Sequence, residues 1–219
     1  MGLNRYKEND GRHPVIKKWF EAFYLRNKSP DREPYFGLDH GWYWPAILEN
    51  QLHGRSSINL VKSIIKQLQR EIFEDGSIKN RTTRGNRALW YHHDGMKEIM
   101  ISLEIARRHG VSIPLSLDAK VKKAGEIFIR GFVDHSYLNR WAKVAHNAIY
   151  VEGEQEFKEN LNDIPNGNSW FHIYAYRYPN SELTKQLRTL LQFENSNSAS
   201  KDAMIGFGLG CLYSAASDY

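Results

Sequence analysis

The feature that most restricts this chain is its apolar spacing. Ile58, Val61, Ile64, Ile65, Leu68 and Ile72 recur every three to four residues, and Met96, Ile99, Met100, Leu103 and Ile105 form a second run of the same kind. That period puts the apolar side chains on one face of an α-helix, whereas a strand would need alternation every second residue. No long β-alternation occurs anywhere in the 219 residues. The expected fold is therefore all-α, a layered arrangement of antiparallel helical hairpins.

Punctuation divides the rest of the chain. Val15, Trp19, Phe20 and Phe23 follow Pro14 at helical spacing, and Asn27 to Pro34 reads as a loop. Pro45 suits the first turn of a helix carrying Ile47, Leu48 and Leu52, and Ser56 or Ser57 suits the cap of the next, whose outer face carries Lys62, Lys66, Gln69 and Arg70. Asp75-Gly76 ends that helix. Ser116 is a plausible cap for a helix through Ala119, Val121, Ala124, Ile127, Phe128 and Phe132, and Leu138 to Tyr150 is helical in pattern, with Trp141, Val144, Ala145 and Ala148 on one face. A polar connection from Gly153 to Asn168 leads to the aromatic stretch Ser169 to Tyr178, which Pro179 stops, and Leu183, Leu187, Leu190 and Leu191 supply another helix. The whole reads as one domain of about eight helices: an N-terminal helix and loop (1–34), a helical core (35–193) and a C-terminal apolar segment (194–219).

Hydrophobic content of 41% excludes a disordered chain, and a formal charge of +5 favours a polyanionic partner. Acidic polysaccharide, nucleic acid and an anionic membrane surface all meet that description. Basic residues are spread along the chain instead of forming one stripe, which ranks nucleic acid last. No run reaches the roughly 18 apolar residues of a membrane span, so no membrane partner is expected. Met1 to Asp10 holds no apolar signal segment, which implies work inside the cell, or in the periplasm or outside it if the natural start is missing. Cys211 is the single cysteine, so an intrachain disulfide is excluded. Oligomeric state is left open.

Chemistry concentrates in Arg84-Gly85-Asn86-Arg87-Ala88-Leu89-Trp90-Tyr91-His92-His93. With a helix starting near Asn86, Arg87 and Tyr91 share a face and Arg84 lies one turn further back on the same side. A phenol beside fixed cations loses its proton more readily and can serve as acid or base. The plainer alternative pairs Arg84 and Arg87 with carboxylates at the helix start, while Trp90 and Tyr91 pack inward. His92, His93 and Asp94 do not suggest a metal site, because adjacent helical residues point about 100° apart. One of the two imidazoles is expected to face a groove and the other to pack. The segment Tyr35 to Trp44 is the most aromatic in the chain and contains Asp39, His40, Trp42 and Trp44.

Arg-Gly-x-Arg-Ala-Leu-x-Tyr-His, preceded by Asp75-Gly76-Ser77 and followed by His109-Gly110-Val111, resembles the central motif of the alginate lyase family. The resemblance implies an incomplete (α/α) toroid and cleavage of a uronate polymer by β-elimination, with no metal or other cofactor. It carries two functional positions onto Arg84 and Tyr91, and the family's His onto His40. Arg84 would bind the uronate carboxylate, with Arg87 as a second fork, His40 would act as base, and Tyr91 would donate to the leaving oxygen or act as base on the other face. Trp42, Trp44 and Trp90 are candidate sugar platforms, and His92 and Arg177 candidate substrate contacts, Arg177 within a segment resembling the family's Tyr-x-x-Arg-Tyr-Pro. Asp39 stands where the family has Asn, and its charge would repel a uronate unless protonated or paired with an arginine. The family's Lys on an earlier helix has no counterpart here. The alternatives are a non-catalytic or degenerate polyanion-binding helical protein, and a toroid glycoside hydrolase in which Asp39 works with a distant Glu.

Overall fold

The computed structural model describes residues 43–143, 155–157 and 170–191, together with Lys18. Expectations for Pro14 to Tyr24, for Asp39, His40 and Trp42, for Val144 to Tyr150, and for everything after Leu191 lie outside the described residues. The described part is mostly helical and has no strand; its one antiparallel bridge joins Ile72 to Ile78. From Tyr43 onward the described α-helices are, in order, α1 Trp44–Leu52, α2 Ile58–Glu71, α3 Ala88–Arg108, α4 Leu115–Val133, α5 Asn139–Ala142, α6 Trp170–Arg177 and α7 Glu182–Leu191. Short 3-10 turns, Gly85–Arg87 and His135–Leu138, precede α3 and α5.

α3 is the centre, packed against α2, α4 and α6. Of its 21 residues, 14 are buried. A helix covered on most sides cannot keep a simple polar face, so its polar residues must find partners inside. α2 shows the opposite case. Val61, Ile64, Ile65 and Leu68 are buried while Lys62, Lys66 and Arg70 are exposed, the solvated face expected from the spacing. Ile58, expected on the apolar stripe, is 43% exposed, because it is the first residue of the helix and lies at the end of the packed face. Ser57 does occupy the cap position, but its hydroxyl turns to the Ile47 carbonyl and makes no cap bond.

α4 begins two residues earlier than the expected Ser116 cap would place it. Pro114 takes the cap position with extended backbone (ψ 141°), so Ser116 falls inside the first turn. Asp134, not a residue of the helix itself, caps the His135–Leu138 turn by accepting from Ser136 N at 2.9 Å and Ser136 Oγ at 2.6 Å. The turn after α2 is built the same way, with Asp75 Oδ1 accepting from Ser77 N and Oγ. Gly76 in that turn has φ +91°, and a Cβ there would lie 2.6 Å from the backbone of Lys123 and Ala124. Only glycine allows the turn to sit on α4 so closely.

Three residues of the polar connection expected from Gly153 to Asn168 are described; they are non-helical and Glu156 is exposed, but the two on either side of it are not. Gln155 and Phe157 are buried. Phe157 enters an aromatic cluster, 5.9 Å from the His93 ring and 6.3 Å from Phe128, and Gln155 satisfies backbone groups at the start of α3.

Candidate functional site

The motif turns sharply before it becomes helix. Gly85 has φ +55°, a conformation that favours glycine, and sends the chain through the 3-10 turn into α3. Arg84, just ahead of the turn, folds back so that its guanidinium carbon lies 4.1 Å from the centre of the Tyr91 ring. Its Nε donates to the Asn80 carbonyl at 2.6 Å, which fixes the side chain from the other end. Both Arg84 and Tyr91 are half-buried. A guanidinium at this distance from a phenol face is held by the ring's negative quadrupole.

Arg81 lies 5.7 Å from the same ring centre and is 3% exposed. Two carboxylates hold it, Glu98 at 2.7 Å and Asp94 at 3.1 Å. Asp94 also accepts Lys97 Nζ at 2.7 Å. Burial raises the Asp94 carboxyl, but Lys97 and Arg81 outweigh it and keep the group below its ordinary range. Tyr91 is thus backed by a buried network of two cations and two anions. The sequence reading missed Arg81, Lys97 and Glu98. One signal was present, since Asp94 and Glu98 are four apart on one helix face and need a cation once that face is covered.

The motif is also tied down from far along the chain. Gln155 Oε1 accepts from Leu89 N at 2.9 Å, and its Nε2 donates to Gly85 O at 2.9 Å. Leu89 N is among the first amides of α3, which have no partner within the helix, so Gln155 caps α3 from 66 residues away. Glu156 N donates to Asn86 O at 2.6 Å. Its carboxylate accepts from Asn86 Nδ2 at 2.6 Å and from Arg87 Nε at 2.9 Å. For Arg87 the carboxylate pairing weighed in the sequence is what the structure shows. Phe157, a lone phenylalanine in a polar stretch, was the only hint that this segment enters the core.

His92 and His93 are both buried, at 0% and 3% exposure, which corrects the expectation that one of them faces a groove. The reason is the position of α3 between α4 and α6. His92 Nε2 lies 2.8 Å from the Ala124 carbonyl, which can only accept, so this nitrogen carries the proton; Nδ1 then accepts from Thr82 Oγ1 at 2.9 Å. Burial pushes the His92 pKa down to about 4, and the ring is neutral near pH 7. His93 Nδ1 accepts from Trp170 Nε1 at 3.2 Å, and its ring sits among Phe128, Phe157 and Phe171. Neither ring is placed to touch a sugar. Among the described residues no three His, Cys, Asp or Glu side chains gather as a metal ion would require.

Trp44 is half-buried, and its Nε1 donates to Ser102 Oγ at 3.0 Å. Ser102 lies on the stripe of α3 that carries Tyr91, about three turns or 16 Å further along. Trp90 is half-buried and packs against the core. Arg177 belongs elsewhere. Its neighbour Tyr176 lies beside Arg107 at the far end of α3 from Tyr91, their separation being 6.0 Å. There Arg177 bonds Asp118 Oδ1 and the Tyr178 hydroxyl, both at 2.9 Å, at the edge of a cleft of about 400 Å³ that Lys122, Tyr174 and Glu182 also line. Burial raises Asp118, yet bonds from Arg177, Tyr178 and Lys122 win and hold it low, while burial pushes the Tyr174 phenol up to about 12. The structure brings Arg84 to Tyr91 and sets Arg87 beside them in the chain, but it does not bring Arg177 to this pair.

No described helix is long and apolar enough to cross a membrane. No family model matches the chain, and no curated protein matches it.

Proposed function

We propose that this protein is a polysaccharide lyase that cleaves an acidic, uronate-containing polymer, alginate-like or glucuronan-like, by β-elimination without a metal, on helices that close into an incomplete (α/α) toroid. The observation that supports this most is the apposition of Arg84 and Tyr91, a half-buried guanidinium 4.1 Å from a half-buried phenol at the start of the central helix. β-Elimination removes the proton on C5, breaks the bond between C4 and the glycosidic oxygen, leaves a C4–C5 double bond and returns a proton to the departing oxygen. Arg84 would neutralise the carboxylate on C5 and so stabilise charge that develops as the proton leaves. His40 is the proposed base. Tyr91 would protonate the leaving oxygen, with Arg81 and its carboxylates keeping the surroundings of the ring fixed. Trp44, held from α1 by its bond to Ser102 on that stripe of α3, would support the sugar chain further along.

The test is to mix the folded protein with a panel of uronans and follow absorbance near the ultraviolet limit, where the unsaturated sugar end absorbs. The reading expects absorbance to rise with alginate or glucuronan. No rise with any uronan would remove it. A second reading, a non-catalytic polyanion-binding protein, is favoured by Arg84 meeting the face of the ring, a contact that needs no proton transfer. It expects salt-sensitive binding with unchanged polymer length.

A further inference from the structure

Asn86 and Arg87 are consecutive residues of the 3-10 turn, and their side chains grip both oxygens of one carboxylate. Oε1 of Glu156 accepts from Asn86 Nδ2 at 2.6 Å, and Oε2 accepts from Arg87 Nε at 2.9 Å. An amide and a guanidinium offered side by side suit a planar carboxylate. Arg87 and Glu156 are 52% and 53% exposed, so solutes reach the pair. Ion pairs this open are weak enough to exchange with a competing anion.

The segment that carries Glu156 does not depend on this contact. Gln155 bonds Gly85 O and Leu89 N, Glu156 N bonds Asn86 O, and Phe157 is buried in the aromatic cluster. The carboxylate can therefore swing away while the backbone stays in place. What it vacates is a site for a carboxylate, within one turn of Arg84 and Tyr91.

We propose that Asn86 and Arg87 form a second uronate carboxylate site next to Arg84, filled in the free protein by its own Glu156, which an incoming acidic sugar displaces. Glu156 is then a built-in competitor that sets how tightly the chain holds its polymer. This inference rests on the uronan reading above. It differs from that reading in requiring only binding.

Glu156→Gln tests it, since the amide keeps the size of the side chain and can still accept from Asn86 while losing the charge. Calorimetric titration at low ionic strength would use a mannuronate trisaccharide and its carboxyl-reduced, neutral counterpart. The expected result is acidic trisaccharide binding tightened about two- to fivefold, the order set by an exposed ion pair, with no change for the neutral sugar. The gain should vanish in the Glu156→Gln, Arg87→Gln double variant. Glu156→Ala, with thermal unfolding as the fold check, is read the same way should the glutamine variant be unstable. Unchanged or weaker binding by folded Glu156→Gln, a gain that survives without Arg87, or binding by no variant would overturn the inference. Turnover is scored separately. Tighter binding without unsaturated product from any polymer removes the lyase and leaves the carboxylate site, whereas turnover with an unchanged KM in Glu156→Gln removes the site and leaves the lyase.

Discussion

Gln155→Leu should destabilise this protein far more than a substitution in a polar stretch of sequence would suggest. Gln155 is 5% exposed, and its amide satisfies two backbone groups, the Leu89 N–H and the Gly85 carbonyl, at 2.9 Å each. Leucine has nearly the same volume, so no large cavity forms, but both backbone groups lose their partner in a place water does not reach. Each buried polar group left unsatisfied costs about 1–3 kcal/mol. The added apolar burial of leucine returns roughly 1 kcal/mol. A net loss of about 1–5 kcal/mol follows, centred on about 3 kcal/mol, a large share of the 5–15 kcal/mol typical of a folded domain. Urea unfolding followed by tryptophan fluorescence measures it, with an unchanged slope confirming that the unfolded state is the same. Amide exchange adds a local signature, because the Leu89 amide should lose protection beyond what the global change explains. A midpoint corresponding to less than about 0.5 kcal/mol of change, which is the range of an ordinary surface substitution, would refute the view that this glutamine caps the central helix.

The remaining expectations concern the same core. The His92 ring is held neutral by burial with a pKa of about 4, against 6.5 for a free imidazole, so between pH 6.5 and 4 the unfolded chain binds a proton that the native state does not. Stability present above pH 6.5 is therefore lost as the pH falls toward 4, by on the order of 3 kcal/mol, and urea midpoints across that range should show a slope that His92→Asn flattens; equal slopes would contradict it. Glu98→Leu leaves Arg81 with Asp94 alone in a buried setting and should cost about 3–5 kcal/mol, and adding Arg81→Met should cost less than the sum of the single changes, as a double-mutant cycle would read. Gly76→Ala places a Cβ 2.6 Å from the backbone of α4 at φ +91° and should lower stability by about 1–3 kcal/mol, measured by thermal unfolding.

The helical scaffold was legible because burial on one face leaves a period, and α2 and α3 carry it plainly in Val61 to Leu68 and Met96 to Leu103. The approach of Arg84 to Tyr91 was legible only as nearness in the chain, since Arg84 precedes the Gly85 turn and reaches the ring by folding back rather than by helical period. Burial of polar residues leaves no such mark. Nothing local distinguishes His92, which bonds Thr82 and Ala124, from an imidazole facing a groove. Gln155 was illegible because its role depends on which distant turn it meets, and Arg177 because its partner Asp118 lies on another helix. Short-range pattern gives elements and faces, whereas long-range polar pairing appears only once the helices are packed.

The central claim is that the Tyr91 phenol, beside Arg84, transfers a proton to a leaving sugar oxygen. Tyr91→Phe keeps the ring that meets the guanidinium and removes only the hydroxyl. On the proposed lyase reading, steady-state uronan turnover, measured by the absorbance of the unsaturated product, should fall by at least about 100-fold in kcat relative to wild type, with the urea midpoint nearly unchanged. Turnover by folded Tyr91→Phe within a few fold of the wild type would contradict the account.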